Sequence, residues 1–504
     1  MLIAFLVALG TVTRAEDQGG AADAPVADAA EQADWQQVRS LLQAGADANA
    51  RQVDGMTALH WAAWHDAPEI ASLLSTHKAD ADASNRYGVT PLSLACTNGN
   101  AGLVEVLLEA GANANTALPG GQTVLMTAAR TGRLGAVRAL LAHKADVNAR
   151  ERGGQTAVMW AAAEGHADVV SLLVEHGADF KTPLRSGFTP LLFAVREGRT
   201  EAVHALLAAG ESVNTVMHPQ GGGGRAPRDG MSPLLLAVEN GHFELAVQLL
   251  EAGADPNDQR SGFTPLHALT WVRKPNKGDG LDGAPPPIGS GTVTSLAFVR
   301  ELVKHGADVN ARLERGRSGR GRLNHTGAKP FLLAADTADV PYIKLLLELG
   351  ADPTTANADH CPPLLAAAGI GTMAPGEEAG TEDEALAAVR LLLDLGADIN
   401  AVDDNGETAM HGAAYASFPR MVDFLAEHGA DIDIWNTKNK YGWTPLLIAE
   451  GHRVGNFKPA AETIAAVHRA MRAAGVEPPT SPTPRAPRRR EDYPAEKPMG
   501  AAKP

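Results

Sequence analysis

Cysteine is almost absent: Cys96 and Cys361 are the only two in 504 residues. A disulfide framework is therefore excluded. Aromatic residues are scarce as well, at 5%, while hydrophobic residues reach 44% and alanine fills much of that share. Such a core points to closely packed helices rather than to a sandwich of bulky strands. No apolar run reaches the length of about 18 residues that a transmembrane helix needs, so no membrane span is expected. Basic residues are in deficit, with 44 Lys and Arg against 59 Asp and Glu, a formal net charge of −15. That balance suits phosphate backbones poorly, and nucleic acid is not an expected partner. The charged fraction is only 20%, which with the apolar content excludes global disorder. There is no Walker loop, no His-Glu-x-x-His and no Cys-x-x-Cys. The four-glycine run at Gly221–Gly224 precedes no helix pattern and is no phosphate cradle. We therefore expect neither catalysis nor a cofactor.

What is present begins at the N-terminus. The run Leu2 to Leu9 is apolar, and Thr13-Arg14-Ala15 offers small residues at both key cleavage positions. The pattern predicts a secretory signal over 1–15 cleaved after Ala15, although it lacks a basic leader. Export, periplasmic or secreted, is the expectation, with a cytoplasmic chain as the alternative. A short linker, 16–23, follows.

The body repeats itself. A Thr-Pro-Leu-His-x-Ala-Ala string opens at Thr57, Thr90, Thr123, Thr156 and Thr189, and a Gly-Ala-Asp-x-Asn string at Gly45, Lys78, Gly111, Lys144 and Gly177. Both recur every 33 residues. More loosely, the first continues at Ser232, Thr264, Lys329, Pro362, Thr408 and Thr444. Each unit reads as two short helices and a turn. Thr caps the first helix, and Pro suits its first position. Residues such as Val169, Val170, Leu172 and Leu173 give the second helix an apolar face. His176-Gly177 ends it, with Gly fit for a left-handed cap. No unit can bury its apolar face alone, so the units must stack.

These motifs resemble the ankyrin repeat family over residues 24–476. The resemblance implies an all-α solenoid of about twelve stacked repeats with projecting inter-repeat fingers, in place of the three domains that length alone suggests. Ala24 to Ala30 fills the first slot as a degenerate cap. Insertions break the register near 216–227, 272–294, 312–328, 370–384 and 451–461, and 477–504 reads as a disordered, Pro-rich tail. The third insertion carries Arg312, Arg315, Arg317, Arg320 and Arg322, either a grip for an acidic partner or a solvated loop.

Eleven of the seventeen histidines occupy fixed repeat slots: His60, His267 and His411 in first helices, His166, His242 and His452 after a glycine, and His77, His143, His176, His305 and His428 at second-helix ends. Copies of one slot lie about 10 Å apart in a helix stack, too far to converge on one ion at about 2.1 Å. They are assigned to structure, and no metal is expected. The two cysteines fall seven layers apart, roughly 70 Å at that spacing, beyond the reach of a disulfide.

In the family, partners are contacted mainly by the residue before the Thr slot, by the finger tip and by the two residues after Ala-Ala. Carried onto this chain, these positions are Met56, Phe188, Phe263 and Trp443; then Arg86, Tyr87, Arg185, Arg260 and Tyr441; then Trp64, His65, Trp271 and Tyr415. Arg317 and Arg320 join them from the long finger. Tyr, Trp and Arg are the types that anchor interfaces, though packing between neighbouring turns would also place aromatics here. Trp61 and Trp160 fall in a slot read as core. The expected function is a monomeric, non-catalytic scaffold that binds an unidentified protein partner on its concave face and fingers. The alternatives are an enzyme or ligand-binding protein with a site built from the inserted loops, or a structural spacer.

Overall fold

A computed structural model describes residues 23–220, 229–277, 285–314, 316, 322–453 and 456–480. The expected signal segment, the four-glycine run, Arg315, Arg317, Arg320 and residues 481–504 of the tail lie outside the described residues. Among those described there are twenty-five helices and no extended strands, only the isolated bridges Ala117–Thr123 and Met217–Met231. None of the helices is long and apolar enough to cross a membrane. The chain is an all-α repeat solenoid that divides into two compact units, Met1–Glu211 and Ser212–Pro504.

In the first unit the helices pair in sequence, from Pro25–Glu31 with Trp35–Gln43 to Pro190–Arg196 with Thr200–Ala208. First helices pack on first helices and second on second, giving two layers. The second unit is built alike, from Pro233–Glu239 with Phe243–Glu251 to Pro445–Ala449 with Ala461–Ala473. A further turn of helix, Ile432–Trp435, occupies one inter-repeat connection.

Local chemistry explains each boundary. Thr90 is extended and accepts from the backbone N–H of Ser93, and Pro91 supplies the first helical residue. Gly177, at φ +85°, turns the chain out of the second helix. Lys78 and Lys144 hold the same slot at φ +62° and +64°, a strain on the order of 1 kcal/mol each that the surrounding fold absorbs. The repeated asparagine then clamps neighbours. The Asn148 amide donates to Gly177 O at 3.0 Å and accepts from the Asp179 N–H at 2.7 Å. Asn257 does the same in the second unit, to Gly306 O and Asp308 N at 2.8 Å each.

The repeat-slot histidines are hydrogen-bonding struts. Buried His60 receives the Thr57 N–H on Nδ1 and donates from Nε2 to Val89 O at 3.0 Å, tying its helix to the following turn. His267 repeats this toward Ala328 O at 3.2 Å. His77, His176, His305 and His428 each donate from Nδ1 to the carbonyl four residues back. Burial pushes the His267 and His411 imidazoles down to about 4, so both are neutral at pH 7. Cys96 and Cys361 are buried free thiols. Trp61 and Trp160, expected in the core, are only half-buried: the Trp61 indole reaches Gln52 at 2.7 Å, and Arg130 lies over the Trp160 ring at 5.7 Å.

Candidate interaction surface

Fingers are tight turns stitched to one another. In the first unit Gln52 N donates to Met56 O at 2.9 Å, closing one finger, and Arg86 N donates to Asp54 O at 3.0 Å, joining it to the next. Gln52 is anchored below by the Trp61 indole at 2.7 Å and by Asp28 and Glu31 at 2.9 and 2.7 Å. This rigid base leaves large side chains in solvent. Trp64 is 45% exposed and Tyr87 55%, and Arg86 lies over the Tyr87 ring at 4.8 Å. His65 is exposed yet engaged, its Nε2 3.0 Å from Glu31 O and its ring edge-on to Trp35 at 5.7 Å. Arg185 is exposed and makes no hydrogen bond or ion pair among the described residues.

Val53, 84% exposed, is a finger-tip residue outside the set that the family resemblance implies. Its position was legible: it stands 33 residues before Arg86, in the same tip slot.

Several expected surface residues are corrected by packing. Met56 is buried beneath its finger. Phe188 is buried against Phe193, ring centroids 4.9 Å apart, with the Arg196 guanidinium over both rings. Phe263 is buried edge-on to half-buried Trp271 at 4.9 Å. Tyr415 is only 1% exposed: its hydroxyl donates to Glu407 Oε1 at 2.7 Å and Arg453 covers its ring. For Phe188, Phe263 and Tyr415 an adjacent aromatic, cation or carboxylate fills the space where a partner was expected. Arg260 is exposed but held in its own turn by both Asp258 oxygens, at 2.8 and 2.9 Å. Tyr441 and Trp443 are half-buried and lie 5.4 Å apart. Asn324, which opens an Asn-His-Thr glycosylation triplet, donates to Asp359 Oδ1 at 2.8 Å, so its amide is engaged.

The second unit holds another feature that no repeat motif announces. Three segments inserted between paired helices, described at 274–277 and 285–294, at 368–381, and at 450–453 and 456–460, fall on the edge away from the fingers, and they interlock. Lys274 pairs with Glu384; Lys277 Nζ donates to Gly380 O at 3.2 Å; Asn276 Oδ1 accepts from Ala379 N at 3.2 Å. Arg453, 2% exposed, donates to Thr372 O and, at 2.7 Å, to Tyr415 O. Asn276 and Lys277 of the first segment and the 368–381 segment line a cavity of about 280 Å³, together with Asp336, Glu382 and Phe418. Of the three lining acids only Glu378 belongs to an inserted segment, Asp336 and Glu382 being helix residues, and no histidine lines the cavity. Burial, and then the neighbouring Glu378, push the Asp336 carboxyl up to about 8. Glu407 rises to about 7 through burial and the charge of Asp403, against the hydrogen bond from Tyr415. Among the described residues no three His, Cys, Asp or Glu side chains come together as a metal site.

Comparison with known proteins returns one family. A family model of ankyrin repeats in three copies matches residues 26–118, 77–151, 125–217 and 379–458, and a single ankyrin repeat matches 229–260. Human "Ankyrin repeat and SOCS box protein 6" is 30% identical over 128 residues, 24% of this chain and 28% of that protein. Mouse "B-cell lymphoma 3 protein homolog" is 33% identical over 132 residues, 26% of each chain. Rice (Oryza sativa subsp. indica) "Potassium channel AKT1" is 40% identical over 63 residues, 12% of this chain and 6% of that one. The match thus spans about a quarter of the first two relatives and far less of the channel.

Proposed function

Because the chain belongs to the ankyrin repeat family, we propose that it is a protein-binding scaffold whose first unit engages its partner through finger tips and first-helix ends. The observation that carries this reading is the exposure of Val53, Trp64 and Tyr87 on a hydrogen-bonded base. Large apolar side chains left in solvent on a rigid support lose little conformational freedom on binding, and aromatics there are the usual anchors. Arg86 supplies a cation beside Tyr87, and Arg185 an exposed one on a finger further along the unit. Phe188, Phe263 and Tyr415 are given packing roles instead, since each is buried against a named neighbour. Arg317 and Arg320 fall in the second unit and are not part of this surface.

The test is a paired affinity capture from the host, with the parent chain and the Trp64→Ala/Tyr87→Ala variant as baits. Exposed substitutions should move stability by no more than about 0.5 kcal/mol. Loss of a true anchor should weaken a captured protein by about 2 kcal/mol or more, roughly thirtyfold. Recovery of the same proteins in the same amounts by both baits would rule the surface out.

A further inference from the structure

We propose that the cavity between Asn276 and Lys277, the 368–381 segment and the end of Pro330–Asp336 binds a small organic cation, a primary ammonium or guanidinium head on a short apolar stem, with Asp336 as its counter-ion. The inference is independent of the finger surface. Its size is right: 280 Å³ corresponds to roughly nine water volumes at about 30 Å³ each, room for a charged head and a few methylenes.

The polar lining is sorted in a particular way. Glu378 Oε1 accepts from Met373 N at 2.6 Å and Ala374 N at 3.3 Å. Glu382 accepts from Arg420 N and Met421 N at 2.7 and 3.1 Å. Asn276 and Lys277 are committed to the 368–381 segment. Asp336 alone of the lining carboxylates accepts no hydrogen bond among the described residues. Three residues on, Asp339 shows what satisfaction looks like, since both its oxygens are taken by Arg273, at 2.8 and 3.0 Å. An unpaired carboxylate in a protein cavity is costly, and a charge-matched donor relieves that cost.

The rest of the wall selects the kind of cation. Three carboxylates, Asp336, Glu378 and Glu382, face one ammonium, Lys277. Ala338, Ala385 and Phe418 offer apolar surface for a stem. A compact metal ion needs several converging ligands at short range, which the described residues do not provide. An N–H-bearing monocation needs a single carboxylate and some carbonyls. The repeat pattern does not require this chamber, because complete repeats earlier in the chain join their paired helices directly.

The site should titrate. Asp336 shares its surroundings with Glu378 from the 368–381 segment, Lys277 from 274–294 and Glu382 at the start of Glu382–Asp394, and it acts on the Cys361 thiol; Arg453 and Arg322 act on Glu378. With its carboxyl at about 8, Asp336 must lose a proton before it can pair with a cation. Binding should therefore tighten by up to roughly 80-fold between pH 6 and pH 8.5, with proton release.

Isothermal calorimetry on the full chain tests this with n-butylammonium, neutral n-butanol and Nα-acetyl-lysine N-methylamide. Butylammonium should bind in the millimolar range, tighten with pH and outbind butanol at least tenfold. Asp336→Asn should abolish the pH dependence and weaken binding at least tenfold. Lys277→Met should strengthen it several-fold, a gain that a folding defect cannot mimic. Blocked lysine binding as well as butylammonium would assign the cavity to a side chain of a protein partner, and exclusion of blocked lysine to a free small amine. Equal binding of butanol, unchanged binding by Asp336→Asn, or no binding at about 50 mM, well above what so small a group needs, would overturn the proposal.

Discussion

Leu173→Ala should destabilise the first unit by about 2–5 kcal/mol, the range for emptying a well-packed leucine site. Leu173 is fully buried on Ala167–Glu175, the second helix of its pair, and that helix packs between Leu134–Ala142 and Thr200–Ala208. A repeat array has few other contacts through which to share the loss, since each unit leans on its immediate neighbours. The damage should therefore be local. Hydrogen exchange should rise most over 134–142, 167–175 and 200–208 and least over Pro25–Glu31. A uniform rise along the first unit would show that it unfolds as one cooperative block instead.

The second large effect is one of pH, and it is confined to the unit with the inserted segments. Asp336 and Glu407 have folded values of about 8 and about 7, above their ordinary 3.8 and 4.5. A carboxyl raised on folding contributes stability that is present at low pH and lost as pH rises through the folded value. His267 and His411, lowered to about 4, act in the opposite sense, and their contribution is lost as pH falls from about 6.5. The two sets offset each other below pH 6.5. Above it only the carboxyls titrate, and the second unit should lose roughly 2 kcal/mol or more between pH 6.5 and 8.5. Asp336→Asn removes the ionisable group without changing its size. At pH 8.5 it should be more stable than the parent; at pH 4 the two should differ little. Calorimetric melts across that range check this. Parallel curves for parent and variant would show that Asp336 ionises freely in the folded chain.

How far the sequence foretold these features depends on the range of the interactions involved. Helix starts were legible because Thr-Pro and the histidine three residues after Thr act within one turn, as Thr57 and His60 do. Second-helix ends were legible for the same reason, through His176 and Gly177. The positions of the insertions followed from arithmetic on the repeat. Their meeting did not, because Lys274 and Glu384 are 110 residues apart and Arg453 reaches back 81 residues to Thr372. A fixed register says nothing about where loops outside it will lie.

Burial at the variable slots was illegible for a different reason. A slot that the repeat leaves free can be filled from beside it. Phe193 and Arg196 do this for Phe188, and Trp271 does it for Phe263. Trp64 and Tyr87 escape, and both remain exposed. The same rule hid Asp336: an acid at the end of a first helix reads as solvent-facing until residues from an earlier and a later segment, Lys277 and Glu378, close around it.

The central claim is that the first unit's finger tips and first-helix ends form the partner-binding surface. Hydrogen exchange on the full chain, with and without a captured protein partner, tests it most directly. Protection should appear over 51–56, 61–65 and 84–89, the segments that carry Val53, Trp64, Arg86 and Tyr87, with little change over the second helices of the same unit. Protection that spares those segments and falls on 274–294, 368–381 and 450–460 would contradict the claim and place the partner on the inserted segments.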